Sequence, residues 1–186
     1  STIDKIKLWD VGYPKYDLNL KNDDSQMEEI RKSIGLDPSK KTILFAPAWD
    51  PKGVLRTHGL KLLKLFENLK EYNFIIKLHR ATLASKKSKH YDFYTGGLDW
   101  RKEIADFMDK SKSNNLFFPF IESINPLFKI SDLLITDFSG VSLGFCLEDK
   151  PFIFLDCHKF YDEKSKSLLS ETCLLYTSPS PRDGRE

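Results

Sequence analysis

Leu-Leu-Ile-Thr-Asp-Phe-Ser-Gly-Val-Ser-Leu-Gly-Phe, residues 133–145, is the most informative part of this sequence. Its first four residues form the short apolar run of a buried strand, and its last residues have the apolar spacing of a helix. Small and polar residues join the two without a long loop. The stretch therefore predicts a strand that passes through a tight turn directly into a helix, which is the repeating step of a parallel α/β sheet.

Four further apolar runs resemble the one at 133–136. They are rich in β-branched or aromatic residues, they end in polar or proline-containing turns, and they occupy residues 42–47, 72–79, 115–118 and 152–155. Segments with helical apolar spacing alternate with these runs, at residues 60–69, 104–108, 124–130 and 141–147. Because such alternation implies right-handed crossovers, we predict an α/β fold with a Rossmann-like, doubly wound sheet of five parallel strands.

The domain organisation follows from length and composition. The 186 residues suffice for one well-buried lobe, which we place at residues 21–173. Residues 1–20 are expected to be the end of a missing N-terminal lobe and the connection leaving it. Residues 174–186 lose all periodicity and resemble translated read-through from a cloning or sequencing adapter, so we exclude them from the fold.

Two segments inside this lobe need separate mention. Residues 21–35 predict an amphipathic helix with its N-cap at Asp24 or Ser25 and its end at Gly35. Residues 84–99 are rich in Ser, Lys and Gly and are predicted to be a mobile surface loop. The lysine pairs at 86–90 favour a solvated surface over a polyanion site.

The bulk composition excludes some classes of function. The formal net charge of +2, from 29 basic and 27 acidic residues, gives no overall electrostatic basis for nucleic-acid binding, although it allows a local basic site. The apolar runs are far shorter than the ~20 residues that a membrane-spanning helix needs. We therefore expect a globular protein that does not cross a membrane in this part of the chain.

The cysteines predict a reducing compartment. They are odd in number and too widely spaced for a CxxC pattern, at Cys146, Cys157 and Cys173. Adjacent residues in Asp-Cys-His at 156–158 point in different directions and do not predict a metal site. We expect neither a metal nor a cofactor.

The turn at 136–142 is a candidate phosphate site. Thr136, Ser139, Gly140 and Ser142 surround the predicted helix N-terminus, where free N–H groups favour phosphate and small residues let its oxygens approach. Asp137 is expected to cap the helix or to orient a neighbour, because a bare carboxylate would repel phosphate. The alternative is an ordinary capped turn that binds no ligand.

A second candidate lies at the end of the strand predicted at 72–79. Alternation along the strand places Lys77 and His79 on one side, and Arg80 follows directly. A diphosphate would favour the protonated imidazole of His79, which would stabilise charge on a leaving group or donate a proton to it. The alternative is a histidine satisfied by backbone at a strand end.

A third candidate is the long loop at 46–59. Thr57 is predicted to cap a helix that begins near Gly59, which makes Arg56, His58 and that N-terminus a possible second anion site, on the acceptor side of the cleft. Trp49 in the same loop is interpreted as a packing residue.

Several spaced motifs together resemble the CDP-glycerol glycerophosphotransferase family of teichoic-acid-type polymer synthesis. They cover roughly residues 8–160: Gly-Tyr-Pro-Lys-Tyr-Asp at 12–17, Ile-Leu-Phe-Ala-Pro-Ala-Trp-Asp at 43–50, Ile-Lys-Leu-His at 76–79, Ser-Asp-Leu-Leu-Ile-Thr-Asp-Phe-Ser-Gly at 131–140 and Lys-Pro-Phe-Ile-Phe-Leu-Asp at 150–156. Three positions depart from the family pattern. Ala48 stands where Thr is frequent, Arg80 where Pro is common, and Gly140 where a second Ser is frequent.

The resemblance implies the C-terminal, donor-binding lobe of a two-lobed GT-B transferase. It implies that the diphosphate of CDP-glycerol, or of a related CDP-polyol, is held by His79 and the turn at 136–140. An acceptor hydroxyl on a polymer or lipid-linked chain would attack the phosphorus that bears glycerol, and CMP would leave. The general base would belong to the missing first lobe. A cytoplasmic location follows, with peripheral contact at the inner face of the membrane.

Two other hypotheses remain open from the residues alone. One is another GT-B enzyme, a glycosyltransferase or a 2-epimerase, that uses the same cleft for UDP-sugars. The other is a non-catalytic lobe that binds a nucleotide.

Overall fold

The structure, a computed structural model, describes residues 24–111 and 113–156. The predictions for residues 1–20 and 174–186, and those for Cys157, His158 and Cys173, lie outside these residues.

The core is one parallel sheet of five strands, as predicted. The strands are β1 (Lys41–Phe45), β2 (Tyr72–Ile76), β3 (Leu116–Phe117), β4 (Leu133–Thr136) and β5 (Phe152–Phe154). Their order in the sheet is β3-β2-β1-β4-β5, and every neighbouring pair is parallel. The chain moves outward from β1 to β3 and then crosses back to β4, so the direction of winding reverses between β1 and β4. In open α/β sheets the crevice at such a reversal is where ligands bind.

The described residues also form six α-helices and one 3-10 helix, all of which except the first helix lie between strands. They are α1 (Asp24–Ile34), α2 (Val54–Asn68), the 3-10 helix (Arg80–Leu83), α3 (Tyr91–Thr95), α4 (Trp100–Lys110), α5 (Asn125–Ile130) and α6 (Val141–Cys146). Because strand side chains alternate between faces, the sheet has two apolar layers. Phe45 and Phe74 pack beneath α2 and α4, whereas Leu44 and Leu134 pack beneath α1, α5 and α6.

The first helix ends where it was predicted to end. Gly35 ends α1 with a φ of 86°, and its N–H donates to the carbonyl of Arg31 at 3.1 Å. This left-handed conformation is the reason for glycine at this position. Asp24 is the first described residue of the helix, so the predicted N-cap at Asp24 or Ser25 stays a prediction.

The segment at 84–99 is partly helical, which corrects the prediction of a loop. Residues 85–90 are exposed, but Tyr91–Thr95 form α3. The indole of Trp100 donates to the carbonyl of Thr95 at 3.0 Å, and both residues are buried. Because α3 has only one turn and is held by these tertiary contacts, it leaves no apolar periodicity in the sequence.

The start of α2 is also corrected. The helix begins at Val54, five residues before the predicted start near Gly59, and Thr57 lies inside it. The hydroxyl of Thr57 donates back to the carbonyl of Gly53 at 3.1 Å, so it caps no helix.

Candidate functional site

The candidate site lies where β1, β2 and β4 end side by side. Phe45 in β1 is in register with Ile76 in β2 and with Ile135 in β4. The segments that follow these strands therefore leave the sheet at one level. The predicted histidine follows β2 and the predicted phosphate turn follows β4, on either side of the loop that leaves β1.

Asp137 fixes the base of this site by capping a helix distant in sequence. Its Oδ1 accepts the N–H of Ala48 at 2.6 Å, and its Oδ2 accepts the N–H of Val54 at 2.8 Å. The carboxylate thus caps α2, whereas the sequence predicted a cap on the helix that follows Asp137 itself. Burial raises the pKa of Asp137, while the bonds from Ala48 and Val54 act in the opposite direction. A carboxylate thus already occupies the N-terminus of α2.

Gly53 allows the carboxylate to approach so closely. A Cβ at this position would lie 3.0 Å from Oδ2 of Asp137 and 3.1 Å from the carbonyl oxygen of Asp50. The cap therefore depends on glycine for space, since its φ of −67° is open to any residue.

Thr136 and Asp137 are both fully buried, so their side chains lie beneath the turn and away from its exposed part. The hydroxyl of Thr136 donates to the carbonyl of Ala46 at 2.7 Å and ties β4 to the loop after β1. Both side chains therefore hold the turn in position through bonds to buried backbone groups.

The upper part of the turn is accessible. Gly140 is exposed, a Cβ added to it would meet nothing within 4 Å, and its N–H has no partner among the described residues. The hydroxyl of Ser139 accepts the N–H of Val141 at 3.4 Å, so its own proton remains available. The hydroxyl of Ser142 instead donates to the carbonyl of Ser139 at 3.0 Å. Ser139 and Gly140 are thus the donors that the turn presents.

His79 stands at the end of β2 as an exposed side chain. Its Nδ1 accepts the N–H of Ala81 at 3.2 Å, so the neutral ring carries its proton on Nε2. Partial burial lowers the pKa of His79, and the positive charges of Arg80 and Lys77 lower it further. A backbone N–H thus bonds to Nδ1, as the hypothesis of a structural histidine required. The other ring nitrogen, Nε2, remains as a hydrogen-bond donor.

Aromatic rings support His79 from the loop after β1. The ring centroid of Trp49 lies 6.4 Å from that of His79, 5.7 Å from Phe93 and 5.2 Å from Tyr94. Trp49 is therefore a packing residue, as predicted, and it links the histidine to α3.

A cavity of about 610 Å³ opens beside Arg80. Lys77 borders it and donates to the carbonyl of Ile121; burial lowers the pKa of Lys77, and Arg80 lowers it further. On the opposite wall, the guanidinium of Arg101 lies 5.5 Å from the ring centroid of Phe120. These wall residues were not predicted from the sequence. The aromatic run at 117–120, directly after a predicted strand, was the signal that could have found them.

The predicted second anion site is not formed. Arg56 and His58 lie inside α2, two residues apart, and point to different sides of the helix. Arg56 donates to the carbonyl of Phe93 at 3.4 Å, and Nδ1 of His58 bonds to the hydroxyl of Thr57 at 2.9 Å. Since Asp137 caps this helix, no free N-terminus remains between them for an anion.

Residues 24–111 and 113–156 contain no group of three or more His, Cys, Asp or Glu side chains that could hold a metal ion. No helix in these ranges has both the length and the apolar character needed to span a bilayer.

The chain is similar to a family of known transferases. The family described as CDP-Glycerol:Poly(glycerophosphate) glycerophosphotransferase matches residues 2–171. A teichoic acid poly(glycerol phosphate) polymerase of Bacillus spizizenii is 30% identical over 152 residues, which are 77% of this chain and 33% of that protein. A teichoic acid glycerol-phosphate transferase of Staphylococcus aureus is 26% identical over 172 residues, which are 87% of this chain and 39% of that protein.

A solved structure has the same fold. The wall teichoic acid polymerase TagF, in a structure soaked with CDPG, matches with a TM-score of 0.53 and 27% identity over 81% of this chain and 32% of that one. The chain thus spans between 32% and 39% of the length of these relatives. Because the family match extends over most of its residues, the chain belongs to the CDP-glycerol:poly(glycerophosphate) glycerophosphotransferase family.

Proposed function

We propose that this chain is the donor-binding lobe of a two-lobed, GT-B type enzyme that transfers glycerol phosphate, or a related polyol phosphate, from a CDP-activated donor to an acceptor hydroxyl. The product would be a teichoic-acid-like polymer, and CMP would be released. The observation that carries the proposal is the placement of His79 and the Ser139–Gly140 turn at one edge of the sheet, after the two strands that flank β1. Family membership supports the same reaction.

The spacing of these groups fits a diphosphate. Neighbouring strands lie about 4.8 Å apart, so the ends of β2 and β4 are separated by roughly 10 Å across β1. A diphosphate between them would accept hydrogen bonds from Nε2 of His79 on one side and from Ser139 and Gly140 on the other. Asp137 and Thr136 hold the turn in place without exposing negative charge to the ligand.

The protonation of His79 is expected to change when the donor binds. Without a ligand its pKa is lowered, so the ring is neutral at neutral pH and donates from Nε2. Two negative phosphates would raise this pKa, and the protonated ring would then stabilise the charge that develops on departing CMP. In the transfer step the acceptor oxygen bonds to the phosphorus bearing glycerol, and the bond from that phosphorus to CMP breaks. The acceptor proton passes to a base outside the described residues.

The nucleoside would occupy the cavity beside Arg80. Its lining includes Leu78 and Arg80, the neighbours of His79 in sequence. The ring of Phe120 with the guanidinium of Arg101 offers a flat surface for a base. We also propose a cytoplasmic location, with peripheral membrane contact made by parts of the enzyme outside the described residues.

Calorimetric titration of the complete enzyme with CDP-glycerol tests this site. His79→Ala is expected to weaken binding by about 1.5–3 kcal/mol because it removes a charge-assisted bond, and Ser139→Ala by about 1 kcal/mol. Titration in buffers with different ionisation enthalpies should show proton uptake by the wild type and none by His79→Ala, because binding raises the pKa of the ring.

His58→Ala is the matched control, because His58 is an exposed histidine away from the turn. It should bind CDP-glycerol as the wild type does. Unchanged affinity in both His79→Ala and Ser139→Ala would contradict the proposed site. Stronger binding of a UDP-sugar than of CDP-glycerol would instead favour a nucleotide-sugar enzyme.

A further inference from the structure

One segment beside the donor site has positive charge and no acidic residue of its own. No Asp or Glu occurs between Glu71 and Asp92. The cations of this interval are Lys77, Arg80, Lys86, Lys87 and Lys89, and it also contains His79 and His90. The net charge of the whole chain is only +2, so this segment is a local excess.

The fold anchors this segment at the edge of the site. The 3-10 helix that follows His79 packs against α3, so residues 84–90 form a loop closed at its base. Phe93 and Tyr94 of α3 contact Trp49, which in turn contacts His79. The loop that carries the three lysines and the histidine at the end of β2 are therefore held by the same group of aromatic side chains.

The lysines of the loop are exposed and have no acidic partner. Residues 85–90 are all exposed, and the ion pairs of the described residues involve Lys32, Lys40, Lys41 and Lys102 only. At the base of the loop, burial lowers the pKa of His79, and the positive charges of Arg80 and Lys77 lower it further. From the sequence, this segment was predicted to be a solvated surface loop. The sequence does not show that the two ends of the loop lie together beside the donor site.

We propose that Lys86, Lys87 and Lys89 form a basic rim that binds the phosphodiester backbone of the polymer acceptor and leads its terminal hydroxyl to the donor. The inference rests on the proposed function, since the family description names a poly(glycerophosphate) as the second substrate. Flexible lysines act as point charges without fixed geometry, which suits a repeating polymer that moves by one unit at each transfer.

An anionic membrane surface is the other partner that such charges attract. Peripheral membrane segments combine basic residues with apolar side chains that enter the lipid interface. Residues 85–90 are Ser, Lys and His only, so the loop offers charge but no apolar anchor. Its position at the rim of the donor site therefore favours the polymer.

The test uses two triple charge reversals in the complete enzyme. One variant is K86E/K87E/K89E. The control, K61E/K64E/K70E, makes the same change in net charge at three exposed lysines of α2 and the residues after it. Binding of a synthetic oligo(glycerol phosphate) is measured over a series of NaCl concentrations, and CDP-glycerol affinity is measured alongside.

The rim variant is expected to lose polymer affinity by roughly tenfold or more. For a single-stranded polyanion, each phosphate that a lysine neutralises contributes about 0.7 to the slope of log binding constant against log salt concentration. Losing three lysine–phosphate contacts should therefore make this slope shallower by about two. CDP-glycerol affinity should stay within about twofold of the wild type, which shows that the variant is folded. The control variant should keep both affinities.

The remaining outcomes separate the two proposals. Equal loss of polymer binding in both variants would mean that only overall charge matters, and would overturn the basic rim. Loss of binding to phosphatidylglycerol vesicles with unchanged polymer binding would assign the loop to a membrane and also overturn it. If the wild type binds CDP-glycerol and the rim variant keeps full polymer affinity, the basic rim is overturned and the proposed function is not. Failure of the wild type to bind CDP-glycerol would overturn the proposed function and the rim with it.

Discussion

Asp137 joins the turn after β4 to the loop after β1 and to the first residue of α2 through two hydrogen bonds. Because burial raises the pKa of Asp137, the folded protein holds a proton on this group more tightly than the unfolded chain does. The contribution of Asp137 to stability therefore falls as the pH rises from the ordinary aspartate pKa through the raised value. Above that window the two N–H bonds keep the ionised group in place.

Replacing Asp137 by Ala should destabilise the protein by about 2–4 kcal/mol, because two buried N–H groups lose their acceptor. Urea denaturation followed by circular dichroism measures this change. Asp99→Ala is a suitable comparison, since Asp99 caps α4 at the surface with one bond of 3.3 Å, and its loss should cost only about 0.5–1 kcal/mol. Equal effects of the two substitutions would show that the buried cap has no special role.

At the scale of elements, the strands and the starts of α5 and α6 were predictable, whereas the start of α2 and the whole of α3 were not. The sequence placed all five strands because buried parallel strands are short, continuous apolar runs. The start of α2 was missed because its cap comes from a residue 83 positions away, and α3 was missed because tertiary contacts hold its single turn. Local rules for capping cannot detect such partners.

Two glycines in neighbouring elements give opposite predictions. Gly53→Ala should cost about 1–2 kcal/mol, because its methyl group would crowd the cap on α2. Gly140→Ala should leave stability unchanged or raise it by about 0.4–1 kcal/mol, because its φ of −59° suits alanine and the space is open.

Ligand binding separates a small from a bulky side chain at residue 140. Because Ser is frequent at this position in the family pattern and a Cβ there meets nothing within 4 Å, Gly140→Ala should keep CDP-glycerol affinity. Gly140→Phe should weaken it, because a bulky side chain would stand where phosphate is proposed to approach. Thermal unfolding and calorimetry on these variants measure the two effects, and full donor affinity in Gly140→Phe would place the diphosphate elsewhere.

At the scale of the whole molecule, parallel topology explains why part of the site was predictable. Any residue that directly follows a strand of this sheet reaches the same edge, so His79, Ser139 and Gly140 were placed correctly at the rim from strand ends alone. The burial of Thr136 and Asp137 within the turn was not predictable from strand ends, because it depends on contacts with the loop after β1. Arg56 and His58 were misplaced because the helix containing them begins earlier than their sequence suggested.

Transfer by the complete enzyme is the most direct test of the central claim that His79 acts on the donor diphosphate. Release of CMP from CDP-glycerol in the presence of an oligo(glycerol phosphate) acceptor would be followed for the wild type, His79→Ala and His58→Ala. The account predicts CMP release by the wild type and His58→Ala, with a rate at least about a hundredfold lower in His79→Ala. A wild-type rate of CMP release in His79→Ala would contradict it.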